Sequence, residues 1–242
     1  MNPNIKKIES TVFGATGLIG SRLIPYLRKD LEFKKIHLAT RSPINIRDEK
    51  IKVHEINLFK KFEILNSLKK SKVVFITIGT TMSRVKGDHD EYKRIDFGIT
   101  KDIADSCKES GVDKLILVSS SGADFKSKSF YLKLKGEVEK YVTDINLKSV
   151  SILRPSLLLG KRNEKRFGEK LAQMIMPKIS FLMPSKYKPI SAEKVARAMV
   201  QISKMNFKGV KIFHYNKDGL RIETDFKFIS VTYFSTSPFN FK

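Results

Sequence analysis

The sequence predicts an α/β protein built on a doubly wound parallel sheet, and three observations carry that prediction. Short β-branched runs alternate with longer helical patterns along most of the chain. Two of those runs, 72–78 (KVVFITI) and 114–119 (KLILVS), are almost continuously apolar, as strands covered on both faces are. The first run, finally, leads into three glycines spaced three apart, Gly14, Gly17 and Gly20, where a helical pattern opens.

In chain order, strand 9–14 (ESTVFG) precedes a helix over 17–29. Strands follow at 35–40 (KIHLAT) and 51–55 (IKVHE), then a helix at 61–70 and the apolar strand 72–78. A long helix over 89–110 leads to strand 114–119, and a helix over 128–145 leads to strand 149–153 (SVSIL). Helices at 166–177 and 191–205 and a strand at 209–214 (VKIFHY) complete the alternation. No repeat, linker or low-complexity stretch interrupts it, so residues 1–242 read as a single domain with its core over 8–215 and a small C-terminal substrate-side region. The stretch 216–242 is aromatic and β-prone and leaves the pattern. An added edge strand, a partner-binding tail and a segment without function all remain open for it.

Composition narrows the function classes. Hydrophobic residues make up 41% of the chain and charged residues 30%, a globular balance. No apolar run approaches the ~18–20 residues that span a bilayer. The opening MNPNIKKIES lacks the pattern of a secretory signal, and the lone Cys107 allows no intrachain disulfide, so a reducing cytoplasm is the expected location. The net charge of +22 raises the question of nucleic acid, but lysines outnumber arginines 36 to 11 and are scattered along the chain. Phosphate- and base-reading surfaces favour the planar fork of arginine in clusters. No specific nucleic-acid partner is expected, and at most a weak peripheral contact with membranes. His37, His54, His89 and His214 lie far apart in sequence with no carboxylate or thiol at ligand spacing, so no metal site is expected.

The glycine turn carries the first chemistry. In TVFGATGLIG (11–20), the first glycine permits a tight turn, the second lets backbone approach a pyrophosphate, and the third lets helix and strand pack closely. The N–H groups and dipole at the start of the following helix favour phosphate. Gly14, Ala15, Thr16, Gly17, Leu18, Ile19 and Gly20 are therefore expected to cradle a nicotinamide dinucleotide in a Rossmann-type domain. At the end of the second strand, where an NAD site places an acid, the chain has Thr40 and Arg41. Arg41 can pair with a 2′-phosphate, which points to NADP(H), with NADPH as the working cofactor.

A second constellation lies downstream. Strand 114–119 ends in Ser119, Ser120, Ser121 and Gly122, and the next helix carries Tyr131 and Lys135 at i, i+4, on one face. A free tyrosine, with pKa near ~10, exchanges protons poorly at neutral pH, and a neighbouring ammonium stabilises its phenolate. A serine at the strand end can hydrogen-bond the substrate oxygen, with Ser120 and Ser121 both possible and Ser121 preferred.

With these segments assembled, the chain resembles the short-chain dehydrogenase/reductase superfamily, and within it the atypical group of Tat-interacting-protein-type oxidoreductases. The matching stretches are GATGLIG, LATRSP, FITIGTT (75–81), YKRIDF (92–97), LILVSSSGAD (115–124), YLKLKGEVEK (131–140), LRPSLLLGKR (153–162) and SAEKVARAM (191–199). The resemblance implies that Tyr131 is the catalytic acid/base and Lys135 its ribose-binding partner. It also implies that Gly79, Thr80 and Arg166 lie along the cofactor. The expected function is NADPH-dependent hydride transfer to or from an unidentified small carbonyl or alcohol substrate. The alternative is an NADP(H)-sensing regulatory protein with little or no catalysis, and oligomerisation stays open.

Overall fold

A computed structural model describes residues 7–159, 189–216, 219–224 and 227–230. Its central sheet has strands β1 (Ile8–Phe13), β2 (Phe33–Thr40), β3 (Ile51–Glu55), β4 (Val73–Ile76), β5 (Lys114–Val118), β6 (Ser149–Arg154) and β9 (Gly209–Asn216). These seven run parallel in the order β3-β2-β1-β4-β5-β6-β9. The order reverses direction between β1 and β4, and such a switch point opens a crevice at the carboxyl ends of the strands. The doubly wound α/β fold read from the sequence is the fold observed.

Alternate residues of each strand feed two cores. Val12, Phe75, Ile116 and Leu153 face α1 (Gly20–Lys29) and α6 (Ala192–Lys204), where Leu23, Leu27, Val195 and Met199 are buried. Phe13, Val74, Ile76, Leu115 and Leu117 point the other way, to α2 (Lys61–Leu68), α4 (Ile99–Glu109) and α5 (Phe130–Asp144) through Ile64, Ile103 and Val142. Each such side chain, once removed from water, contributes about 1.5–3 kcal/mol. Covering both faces explains why β4 and β5 read as unbroken apolar runs.

Several elements differ from their sequence outlines. The helix expected from residue 17 begins at Gly20, because Gly17 N–H donates to Gly14 O (2.9 Å) and keeps the glycines in the turn. The long helix expected over 89–110 is three pieces: α3 (His89–Lys93), a π-helical turn (Arg94–Gly98) and α4. Asp88 starts α3 by accepting from the N–H groups of Asp90 and Glu91, both at 2.9 Å. Two short strands absent from the sequence outline, β7 (Leu158–Leu159) and β8 (Ile190–Ser191), pair in parallel. Beyond residue 216, β10 (Gly219–Thr224) and β11 (Lys227–Ser230) extend the sheet antiparallel from β9, so the described part of the tail forms edge strands. The helix expected over 166–177 lies outside the described residues. No helix among the described residues is long and apolar enough to cross a membrane.

Candidate cofactor and catalytic cleft

The glycine turn is built by close backbone approach. Gly14 has φ +84°, and a Cβ there would stand 2.7 Å from the backbone carbon of Thr77 at the end of β4. A Cβ on Gly20 would sit 2.1 Å from Gly14 O, so neither position takes a side chain. Thr77 locks the turn from the neighbouring strand end, its hydroxyl donating to Phe13 O (3.0 Å) and Gly14 O (3.1 Å). No side chain caps α1 at Ile19; its first turn is closed by backbone, Ser21 N–H donating to Gly17 O (3.0 Å) and the N–H groups of Arg22 and Leu23 to Ile19 O (3.0 and 2.9 Å).

Two adjoining cavities of about 660 and 500 Å³ open over this turn and share Thr16, Gly17, Arg41, Thr77, Gly79 and Thr80. Their size lies in the range of small-molecule and cofactor sites. Arg41 is exposed and lines both cavities, while the neighbouring Thr40 is buried and donates to Ser42 O (2.9 Å). The larger cavity runs from the turn to Tyr131 and Lys135. Gly14, Ala15, Leu18 and Ile19 line one or other of the two, and Gly20 packs behind the turn. Arg166 lies outside the described residues.

At the far end, Tyr131 is partly exposed (39%) and the Lys135 ammonium lies 5.9 Å from its ring centroid. Lys135 is almost fully buried, and its Nζ donates to Asp96 Oδ1 at 2.6 Å. The other oxygen of Asp96 accepts the backbone N–H of Thr80 at 2.8 Å. Tyr92 also meets this corner, its hydroxyl donating to Thr80 O (3.2 Å). Burial first, then the charges of Asp96 and Tyr131, push the Tyr92 phenol well above its ordinary range.

The strand end contributes Val118 and Ser119 to the cavity wall, with Ser120 and Ser121 following in the next turn. Ser119 donates to Glu139, which also receives Arg154 through Nε (3.0 and 3.1 Å) and Nη2 (2.5 Å). Ser121 N–H donates to Pro155 O (2.8 Å), and Ser120 Oγ reaches only Ser121 O at 3.4 Å. Asp96, Arg22 and Arg84 line the larger cavity and were not singled out from the sequence; of the three serines named at the strand end, Ser119 lines it. Asp96 did leave a signal: it stands in helical phase with Tyr92, Ile99 and Ile103, an acid on an otherwise buried stripe.

The model of a family described as NAD(P)H-binding matches residues 14–205, which includes the glycine turn, Tyr131 and Lys135. The chain belongs to the NAD(P)H-binding family. Relatives include the protein named FMP52, mitochondrial, of Debaryomyces hansenii, 32% identical over 81% of this chain and 88% of that protein. Its namesake in Candida albicans is 32% identical over 84% and 90%, and that of Saccharomyces cerevisiae 33% over 66% and 71%. Among solved structures, MoeE5 in complex with UDP-glucuronic acid and NAD has a TM-score of 0.68 at 18% identity, covering 88% of this chain and 77% of its own. A UDP-N-acetylglucosamine 4-epimerase from Methanobrevibacter ruminantium M1 has a TM-score of 0.68 at 18% identity, covering 90% and 79%. At that identity the likeness is one of fold, and it agrees with membership of the NAD(P)H-binding family.

The expectation of a cytoplasmic location is corrected by these relatives, whose names place them in the mitochondrion. A single cysteine fits a reducing compartment and does not separate cytosol from mitochondrion. The histidines separated in sequence do not all stay apart either. Strand register brings His37 Nδ1 to 2.8 Å from His54 Nε2, with Glu9 3.5 Å from the far nitrogen of His37. No group of three His, Cys, Asp or Glu among the described residues is arranged to hold a metal ion.

Proposed function

We propose that this protein is an NADPH-dependent oxidoreductase of the mitochondrion, reducing a small carbonyl compound or oxidising the corresponding alcohol. The observation that carries the reading is one continuous cleft with a glycine turn and Arg41 at one end and the Tyr131–Lys135 pair at the other. The cradle fits the cofactor: the space a side chain would need at Gly14 and Gly20 is already taken by backbone, so the turn meets a pyrophosphate free of side chains at the positive N-terminal end of α1. Arg41 is the residue assigned to the 2′-phosphate, with Gly79 and Thr80 alongside the dinucleotide. When bound, the nicotinamide exchanges a hydride with the substrate carbon.

The chain itself manages the proton. In the reducing direction Tyr131 gives the phenolic proton to the carbonyl oxygen as the hydride arrives at its carbon, leaving an alcohol and a phenolate. The Lys135 ammonium stabilises that phenolate, and its remaining donors suit ribose hydroxyls. Ser121 or Ser120 is assigned to the substrate oxygen. The test is a screen of aldehydes and ketones with NADPH, followed by Tyr131→Phe. That variant should bind NADPH as the wild type does and lose about 10²-fold or more in turnover. Undiminished turnover would show that another group moves the proton.

A further inference from the structure

A further cavity, of about 480 Å³, is lined by five lysines, Lys34, Lys35, Lys52, Lys69 and Lys70. Its least exposed lining residues are His37 and Glu9. Lys34, Lys52 and the turn before β4 place it towards the amino ends of the strands, whereas the cofactor cleft opens at their carboxyl ends. Alternation sets Lys35 and His37 on the sheet face of Ala39, and Glu9 on that of Phe13, the face against which α2 packs. Lys52 pairs with His37 in register and shares that face. Charged residues thus stand on an inward sheet face, where α2 has already ended at Leu68.

Two backbone irregularities bring lysines to this cavity. Ile8 pairs with Phe33 and Glu9 with Lys35, which leaves Lys34 as the extra residue of a bulge, a device that re-aims a side chain. Lys69 has φ 47° and ψ −122°, and Ser71 N–H donates to Leu68 O (2.9 Å), so Lys69 holds the first central position of a type II′ turn. Glycine takes that conformation without strain; a lysine there is strained, and such strain concentrates at functional sites. Lys34 is committed to Glu9 (3.0 Å), which also meets His37 (3.5 Å), and Lys35 donates to Glu49 O (2.8 Å). Lys52, Lys69 and Lys70 have no hydrogen bond or ion pair among the described residues. Burial first, then the charges of His37, Lys52 and Lys69, depress the His54 imidazole, so charges from β3 and from the turn converge on one spot. We propose that this cavity is a second anion site, built for a soluble ligand that carries adjacent phosphoryl groups. A concavity lined by one sign of charge focuses its field on a counter-ion, and ammonium groups meet phosphoryl oxygens as point charges. Apart from His37 the lining offers no ring for a nucleobase and no apolar residue for an acyl chain, so charge is the means of recognition. The site does not depend on the oxidoreductase reading.

The probe is inorganic tripolyphosphate, titrated calorimetrically into the full chain at about 0.15 M salt, with and without NADPH to fill the cofactor cleft. With NADPH present it should bind at one site per chain. Lys52→Gln/Lys70→Gln should weaken that binding about ten-fold or more. Lys126→Gln/Lys133→Gln removes the same charge from exposed positions outside the cavity and should change it less than about two-fold. Lys69→Gly removes a charge while giving the turn the residue its backbone favours. It should fold at least as well as the wild type and still bind about three-fold more weakly or worse. Equal losses in the two double variants would overturn the proposal, since they would report net charge alone. Unchanged affinity in Lys69→Gly or in Lys52→Gln/Lys70→Gln, or several weak sites per chain, would overturn it too. So would binding that disappears when NADPH is added, which would belong to the cofactor cleft. Retention on vesicles of phosphatidylcholine and phosphatidic acid without binding of tripolyphosphate would replace the cavity with a charged surface. A chain that fails to bind NADPH sinks the oxidoreductase reading, while the contrast between the two double variants still decides this site.

Discussion

Arg154, at the end of β6, grips Glu139 of α5 through two nitrogens, with Nη2 2.5 Å from Oε2 and Nε about 3 Å from each carboxylate oxygen. Glu139 lies one helical turn beyond Lys135, as Lys135 lies one turn beyond Tyr131, so this pair fixes the depth and rotation of the helix face that lines the cleft. The Glu139 carboxylate is only 6% exposed. Removing one partner of a buried pair leaves the other charge without compensation, at a cost of about 3–5 kcal/mol. Glu139→Ala should lower stability by that amount in a urea titration. Replacing both partners with Leu and Met should recover most of it.

The glycine turn permits no side chain at its third position. The Cβ of Gly20→Ala would meet Gly14 O at 2.1 Å, a contact with backbone that no rotamer relieves. The expected cost is about 3 kcal/mol or more, seen as a fall in thermal midpoint of about 6–12 °C. A variant with the wild-type midpoint and nucleotide binding would show that α1 can move away from β1.

The histidine pair on β2 and β3 makes stability depend on pH. Burial, then the charges of His37, Lys52 and Lys69, depress the His54 imidazole to about 4, and burial also lowers His37. An unfolded imidazole titrates near ~6.5. Between those values the unfolded chain takes up a proton that the folded chain does not. Stability is therefore full above about pH 6.5 and falls as the pH drops toward 4. Thermal melts at about pH 7 and pH 5 should show the loss, and His54→Gln should reduce it. An equal loss in that variant would place the acid sensitivity elsewhere.

Much of this architecture was legible in the chain because its signals are local and periodic. Seven parallel strands appeared as β-branched runs, and the turn at 14–20 appeared as glycines whose spacing reflects backbone contact. The i, i+4 spacing of Tyr131 and Lys135 sufficed to place both on the cleft wall. What escaped depends on partners distant in sequence. The π-helical turn at 94–98 adds one residue within a continuous helical pattern, which periodicity does not resolve. The meeting of His37 with His54 follows from the register of β2 on β3, and the bond between Asp96 and Lys135 joins residues 39 apart. The strands at 219–224 and 227–230 looked like one of several fates for an aromatic tail, because edge strands carry a weak pattern.

The measurement that bears most directly on the account is a pair of fluorescence titrations, NADPH and NADH in turn, against the wild type and Arg41→Ala. The wild type should bind NADPH saturably and at least about ten-fold tighter than NADH, as a charge-assisted contact to the 2′-phosphate requires. Arg41→Ala should erase most of that difference while leaving NADH affinity nearly unchanged. Absence of binding by either nucleotide would contradict the central claim, and equal affinity for both would remove NADPH and Arg41 from it.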